Sequence, residues 1–475
     1  MSLAPIEPSS LTHGRDPDLR RTTELALDPD SSSPHQPNTP GPREAGRFGL
    51  WSGIGLVIAN TIGVGVLTSN GYMAVSMTPD LIFLVWVIQG VVAILGARAY
   101  AGIAAIVPSS GGEYRYLSDL LHPSLGCLAG WTSLLIGFAA PIAANAYAAG
   151  LFLQMVSPAT FANARITGAA IIVILTLLQA TNLRASKLGQ DSLAILKAIL
   201  FGTFVIVGFV LGTNRWPAPL AEASPSFPTT AFALNLFYAA YAYSGWNAAI
   251  YAAGEFKDPR RTVPRAMTIG SVLVTLAYLA ITWVFVANLS GTDMKGWDEH
   301  KATVAHLIVR KLIGPTAAST VSLGIVVVLV SAMSAMMLLG PRVNAAMARD
   351  GFLPRILGGR KDLPPFGAVL LQGVLALALL CTHSFEMLMA NIGVVLTFSS
   401  ALTVLALFRL RLGYRHYPRP GLGAITAGGG FVIAAAWSLF MAFSQKPQTI
   451  LWVASICAIS AGGYYATKKW APKSP

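Results

Sequence analysis

From about residue 49 to residue 467, apolar residues come in long blocks separated by short polar turns. A helix needs about 20 mostly apolar residues to cross the hydrocarbon of a bilayer. Blocks of that kind fall near 49–74, 80–107, 124–155, 165–183, 189–212, 229–253, 264–289, 314–341, 366–383, 386–409, 422–444 and 448–467. The pattern predicts an all-α polytopic membrane protein with twelve transmembrane helices. The short alternating strands with lumen-facing polar positions that a membrane β-barrel requires do not occur in it. Residues 1–47 depart from the pattern. They hold eight prolines, seven acids and five arginines with no apolar run, the composition of a disordered tail. No signal-peptide core precedes the first block, which therefore reads as an uncleaved first helix.

Composition supports this reading. The chain is 54% hydrophobic and only 11% charged, against about 25% in soluble proteins, so an ordinary soluble enzyme is excluded. The net charge of +13 does not point to nucleic acid, because the cations sit in short loops and form no basic stripe interleaved with aromatics. With the N-terminus in the cytoplasm, 24 of the 33 Lys and Arg lie in cytoplasmic segments and seven in outer ones. Arg98 and Lys197 lie inside apolar runs. By the positive-inside rule both termini are expected in the cytoplasm, and the expected location is the cell (inner) membrane. Cys127, Cys381 and Cys457 have neither disulfide nor metal-ligand spacing. The seven histidines fall in tails, loops or run edges. No catalytic set, metal site or cofactor motif is present, so the chain is not read as an enzyme.

Two runs carry residues that disfavour a continuous helix. The first has Thr61-Ile62-Gly63-Val64-Gly65 at mid-depth, and the sixth has Tyr241-Ala242-Tyr243-Ser244-Gly245-Trp246-Asn247. Glycine inside a helix costs about 1 kcal/mol relative to alanine. Close helix packing is one use for such residues. The other is an unwound turn, whose freed peptide groups lipid cannot satisfy and which must face a polar cavity. Interruptions at matching places in two halves point to an inverted-repeat transporter with its site at the repeat interface. Amides near Gly63, Val64 and Gly65 then start a half-helix and suit an anion. Carbonyls near Thr61, Tyr241, Ala242 and Ser244 end half-helices and suit a cation. A zwitterion such as an α-amino acid offers both charges.

On these residues the chain resembles the amino acid–polyamine–organocation (APC) superfamily of permeases, nearest in motif to the L-type amino-acid transporters. TIGVGV resembles the first-helix glycine motif, and Pro108-Ser109-Ser110-Gly111-Gly112-Glu113-Tyr114 the signature after helix two. Gly130-Trp131 followed by Pro141 resembles helix three, YAYSGWN with Glu255 to Ala266 resembles helix six and its loop, and Arg342 with Ala348 to Pro354 the loop after helix eight. The resemblance covers nearly everything after residue 48. It implies a LeuT-like fold: a first repeat over 48–228, a second inverted repeat over 229–411, helices eleven and twelve over 412–469, and a tail over 470–475. It places the substrate carboxylate on the backbone around Gly63, Val64 and Gly65 and the ammonium on carbonyls around Thr61, Tyr241 and Ser244, with Ile62 and Ala242 also counted in the substrate-binding site. Tyr241 would be an outer aromatic gate and Asn247 a polar neighbour of the site, or glue between helices. Relatives carry a glutamate where this chain has Gly102 and a second one at Gly254. A cytoplasmic gate built on those acids is therefore not expected. Arg98 is expected to reach the cytoplasmic face, with a pairing to Glu255 as a further option.

Lys197 lies about 12 Å into helix five at 1.5 Å per residue. A lysine there is expensive unless solvated or paired. By the resemblance it takes the place of a coupling sodium, with Ser331 and Ser334 of helix eight lining the same place. No acid or extra arginine stands at mid-depth near the breaks, and helix three is small and apolar around Gly137, Ala139, Ala140, Ile142 and Ala143. The expected substrate is a neutral amino acid, moved without sodium, with proton coupling or exchange. A cationic amino-acid or polyamine antiporter and a sensor without net flux are the alternatives. L-type transporters in animals pair with a glycoprotein through an outer-loop cysteine. Neither Cys127 nor Cys381 clearly fits, so no obligatory partner subunit is expected.

Overall fold

A computed structural model of the protein describes residues 48–470 except 109–110, 182–184, 214, 216–227, 289–302, 359–365, 415–416 and 446. The expected disordered tail over 1–47 lies outside the described residues. All described regular elements are helical, apart from one isolated parallel bridge between Phe48 and Phe256.

The first span is two pieces, α1 (Leu50–Thr61) and α2 (Val64–Ala74). Next come α3 (Pro79–Ile106), the short amphipathic α4 (Gly112–Leu120) and α5 (Pro123–Val156). After α6 (Ala164–Thr181) and α7 (Ala185–Leu211) lies a second interrupted segment, α8 (Thr229–Tyr243) and α9 (Ala248–Tyr251). Then follow α10 (Pro259–Asn288), α11 (Val304–Leu312), α12 (Pro315–Arg349), α13 (Phe366–Thr382), α14 (Phe385–Arg411), α15 (Leu422–Gln445) and α16 (Gln448–Trp470). Among the described residues seven helices are long and apolar enough to cross a membrane, the α1–α2 pair counted as one.

Prolines open α3, α5 and α12 in their first turn, where the missing N–H costs nothing. Three elements differ from the hydrophobic pattern. The signature loop after α3 folds into α4, and α11 forms in a polar connection. α12 runs eight residues past the expected end at 341, because Pro341 removes only one bond. Its true stop is a glycine cap: Gly351 at φ +86 lets Phe352 N donate to Met347 O and Gly351 N to Ala348 O.

Large apolar side chains on α6, α7 and α10, such as Ile174, Leu178, Ile206, Val210 and Leu276, are exposed. They form the face that lipid covers. The interior holds aromatics instead. Trp86 and Tyr278 lie 5.3 Å apart between ring centroids, and Tyr243 and Tyr278 4.9 Å. That cluster sits beside both helix interruptions. The end of the molecule that carries Phe48 is the proximal face, and the opposite end the distal face.

Candidate functional site

Both expected breaks are present. α1 ends at Thr61, Ile62 (φ −71, ψ 102) and Gly63 (φ −136, ψ −155) are extended, and α2 starts at Val64. α8 ends at Tyr243, followed by extended Ser244 and then Gly245 at φ +106, before the single turn of α9. The two breaks touch. A Cβ on Gly245 would stand 2.8 Å from Asn60 O, and one on Gly65 2.5 Å from Ala242 Cα. Gly245 is thus required twice, by its left-handed backbone and by the close approach. Gly65 serves packing. Gly63 does neither: a Cβ there would meet only Thr61 O, at 3.9 Å.

Tyr278 of α10 joins the breaks from behind. Its hydroxyl lies 2.8 Å from both Thr61 O and Ala242 O. One phenolic proton serves two carbonyls, and each carbonyl oxygen keeps a lone pair for another donor. Tyr241 O accepts from Ser244 N at 3.0 Å.

Lys197 on α7 is 4% exposed, and its ammonium donates to Ala59 O at 2.7 Å. Ala59 is in the last turn of α1, where carbonyls lack helical partners and the dipole favours a cation. Ser331 and Ser334 are not hydrogen-bonded to Lys197 among the described residues. Ser334 accepts from Gln179 of α6 at 2.7 Å.

A cavity of about 100 Å³ opens at the junction, several times the roughly 10–15 Å³ that one water needs. Its walls include Asn60, Ser244, Asn247, Gly137, Pro141 and Glu113. Of the substrate-binding residues expected from the sequence, Ser244 and Asn247 line it. Thr61, Ile62, Gly63, Val64, Gly65, Tyr241 and Ala242 stand at the breaks and are not among its lining residues. Gly137 and Pro141 reach it from α5, whose residues 133–139 form a π-helical turn, a feature frequent at functional sites.

Three groups near the site escaped the sequence. The first is Glu113, 3% exposed at the start of α4. Its Oε1 accepts from Tyr100 at 2.6 Å and Asn247 at 3.1 Å, and its Oε2 from Ser399 at 2.7 Å. A carboxylate in a polar motif reads as solvated, and only the docking of α4 under α14 and the second break buries it. The second group closes the distal side: Tyr238 donates to Glu386 at 2.7 Å, and Tyr72 packs on Tyr238 and Phe385. Tyr238 stands one turn before Tyr241. The third is a proximal clasp. Phe48 exchanges backbone bonds with Glu255 O and Lys257 N, and Glu255 pairs with Arg342 at 3.0 Å. That corrects the optional Arg98–Glu255 pair: Arg98 is exposed beside the α15 N-terminus. Tyr114 and Arg115 both hold Asp350, at 2.6 and 3.4 Å.

Comparison with known proteins identifies the family. Residues 48–463 match the family model described as amino acid permease. The chain is 26% identical over 386 residues to the large neutral amino acids transporter small subunit 2 of Homo sapiens, covering 78% of this chain and 71% of that one. It is 24% identical over 382 residues to the b(0,+)-type amino acid transporter 1 of Mus musculus, covering 78% and 77%. It is 26% identical over 308 residues to the serine/threonine exchanger SteT of Bacillus subtilis, covering 65% and 69%. These relatives are transporters and not enzymes. The chain belongs to the amino acid permease family of the APC superfamily, and is a multi-pass membrane protein of amino-acid transport.

Proposed function

We propose that the protein moves neutral amino acids across the membrane by alternating access, without sodium, through proton coupling or exchange. The observation that carries this is the meeting of two helix breaks, Gly245 against Asn60, at one cavity. The amides at Gly63, Val64 and Gly65, at the start of α2, take the carboxylate. Carbonyls of Thr61, Tyr241, Ala242 and Ser244 take the ammonium, with Tyr241 as the gate and Asn247 beside the site. Lys197, bonded to the end of α1, acts as the coupling cation, with Ser331 and Ser334 one turn apart on α12 as its lining. In this reading the four shorter apolar helices and the interrupted α8–α9 segment also span, twelve in all. Residues 48–228 and 229–411 form the inverted repeats, 412–469 the last pair, and the proximal face is cytoplasmic.

The test is uptake of labelled neutral amino acids by purified protein in liposomes, with and without unlabelled amino acid inside. It is repeated without sodium and with the pH gradient collapsed. Uptake of arginine or a polyamine but of no neutral amino acid would overturn the substrate class. A cationic substrate has one observation in its favour, the acid Glu113 in the cavity wall. Binding without flux would make the protein a sensor. We read it as acting without an obligatory partner subunit: Cys127 is buried, its thiol 3.7 Å from Ser460 O, which leaves of Cys127 and Cys381 only the exposed Cys381 at the end of α13 as a candidate tether. The human relative is named a small subunit, so the size of the purified, active particle decides this.

A further inference from the structure

The cavity wall holds one carboxyl whose surroundings suit neither a salt bridge nor a metal. Glu113 is enclosed by four neutral donors. Tyr100 of α3 lies at 2.6 Å, Asn247 of the second break at 3.1 Å, and Ser399 and Ser400 of α14 at 2.7 and 3.3 Å. No Lys or Arg touches it among the described residues, and no cluster of metal-ligating side chains includes it. Neighbouring Arg115 is turned to Asp350. The other titratable groups facing Glu113 are Tyr100 and Tyr251. α5 contributes Cys127, which faces Tyr114, and α14 contributes Arg409, which is bound to Leu121 O at the far end of α4.

We propose that Glu113 is a proton-binding site whose loading is coupled to closure of the proximal end of the transport path. A buried carboxylate with no counter-ion is costly, and a proton removes that charge without a new partner. The shell accommodates both states. A serine hydroxyl donates to the carboxylate, and it can turn to accept from the protonated acid. A substrate ammonium is a poorer fit, because four donors already occupy the two oxygens. The shell also spans elements that must separate. Asn247 belongs to the second break and Tyr100 to α3, whereas Ser399 and Ser400 belong to α14. Rearranging the break dismantles the shell and lets in water.

Burial raises the affinity of Glu113 for its proton, and the hydrogen bonds from Tyr100, Ser399, Ser400 and Asn247 offset part of that rise. The enclosed state therefore binds the proton more tightly than the open one. Acid favours closure, and opening releases the proton to the proximal side. The proton site goes beyond the transport reading above; its coupling to opening and closure of the path, and the direction of that coupling, rest on that reading.

The experiment follows Glu113 in the full-length protein in lipid. Infrared difference spectra across a titration from about pH 5 to about pH 8 are recorded for the wild type, Glu113→Gln and Glu113→Asp. Exchange of a labelled neutral amino acid is measured over the same range. A carboxylic C=O band that titrates above the ordinary glutamate range, is absent in Glu113→Gln and is displaced in Glu113→Asp is expected. The wild-type exchange rate should vary with pH and that of Glu113→Gln should be flat. A band that persists in Glu113→Gln, or one at the ordinary value, overturns the proposal. So does an unchanged pH profile in an active Glu113→Gln. If Glu113→Gln does not fold, an undisplaced band in Glu113→Asp overturns it. If the wild type exchanges no neutral amino acid, the transport reading fails and the infrared band alone decides the proton site.

Discussion

Replacing Gly63 by alanine separates a glycine kept for a ligand from one kept for packing. The added methyl has no protein atom closer than Thr61 O at 3.9 Å, and the extended backbone at φ −136 suits any residue. Folding should therefore be unharmed. Where the native conformation is compatible, Gly to Ala stabilises by about 0.4–1 kcal/mol through the unfolded chain. Gly65→Ala is the control, since its methyl would lie 2.5 Å from Ala242 Cα. Overpacking of that kind costs about 1–3 kcal/mol. If a substrate carboxylate rests on the amides at the start of α2, the Gly63 methyl fills its place. Losing one charge-assisted hydrogen bond costs about 1.5–3 kcal/mol, or roughly 10- to 150-fold in affinity at 1.4 kcal/mol per decade. Thermal melts report stability, and the substrate-induced rise in melting temperature reports binding. Gly63→Ala should melt at or above the wild type and lose the substrate shift, whereas Gly65→Ala should melt lower without ligand. A Gly63→Ala protein that keeps full affinity would refute the placement of the carboxylate.

Further consequences follow from the same contacts. Tyr278→Phe removes the hydroxyl shared by Thr61 O and Ala242 O and should cost about 1–3 kcal/mol; an unchanged melt would show that the bridge is not structural. Gly245→Ala forces a side chain to φ +106 against Asn60 O, a strain of about 1–3 kcal/mol, and should lower both stability and substrate affinity. Equal affinity would mean that the two breaks need not touch to bind. Lys197→Met leaves Ala59 O without its donor and should slow transport by about tenfold or more, equivalent to about 1.4 kcal/mol, while substrate still binds; wild-type flux would remove Lys197 from the mechanism. Glu255→Gln breaks an exposed pair with Arg342 and should change stability by less than about 1 kcal/mol. Its effect should appear as greater labelling of cysteines introduced beside the clasp, and unchanged labelling would count against a clasp.

The sequence by itself determined what the solvent dictates. Lipid cannot satisfy a bare peptide group, so long apolar runs must be helices, and the ends of α3, α6, α13 and α15 fall within about two residues of their runs. The same rule made Gly63 and Gly245 legible, because an interrupted helix in hydrocarbon has to face something polar. Lys197 stood out for the cost of its charge. What the pattern could not carry was distance between residues remote along the chain. Which carbonyls meet Tyr278, that Gly65 packs while Gly63 stays open, and that Arg342 takes Glu255 all depend on how helices lean together. Glu113 is the clearest case. In sequence it is an acid in a polar loop, where water would hold its charge. Only the packing of α4 against α14 and the second break takes that water away, and the chemistry of a carboxyl depends on whether water is there.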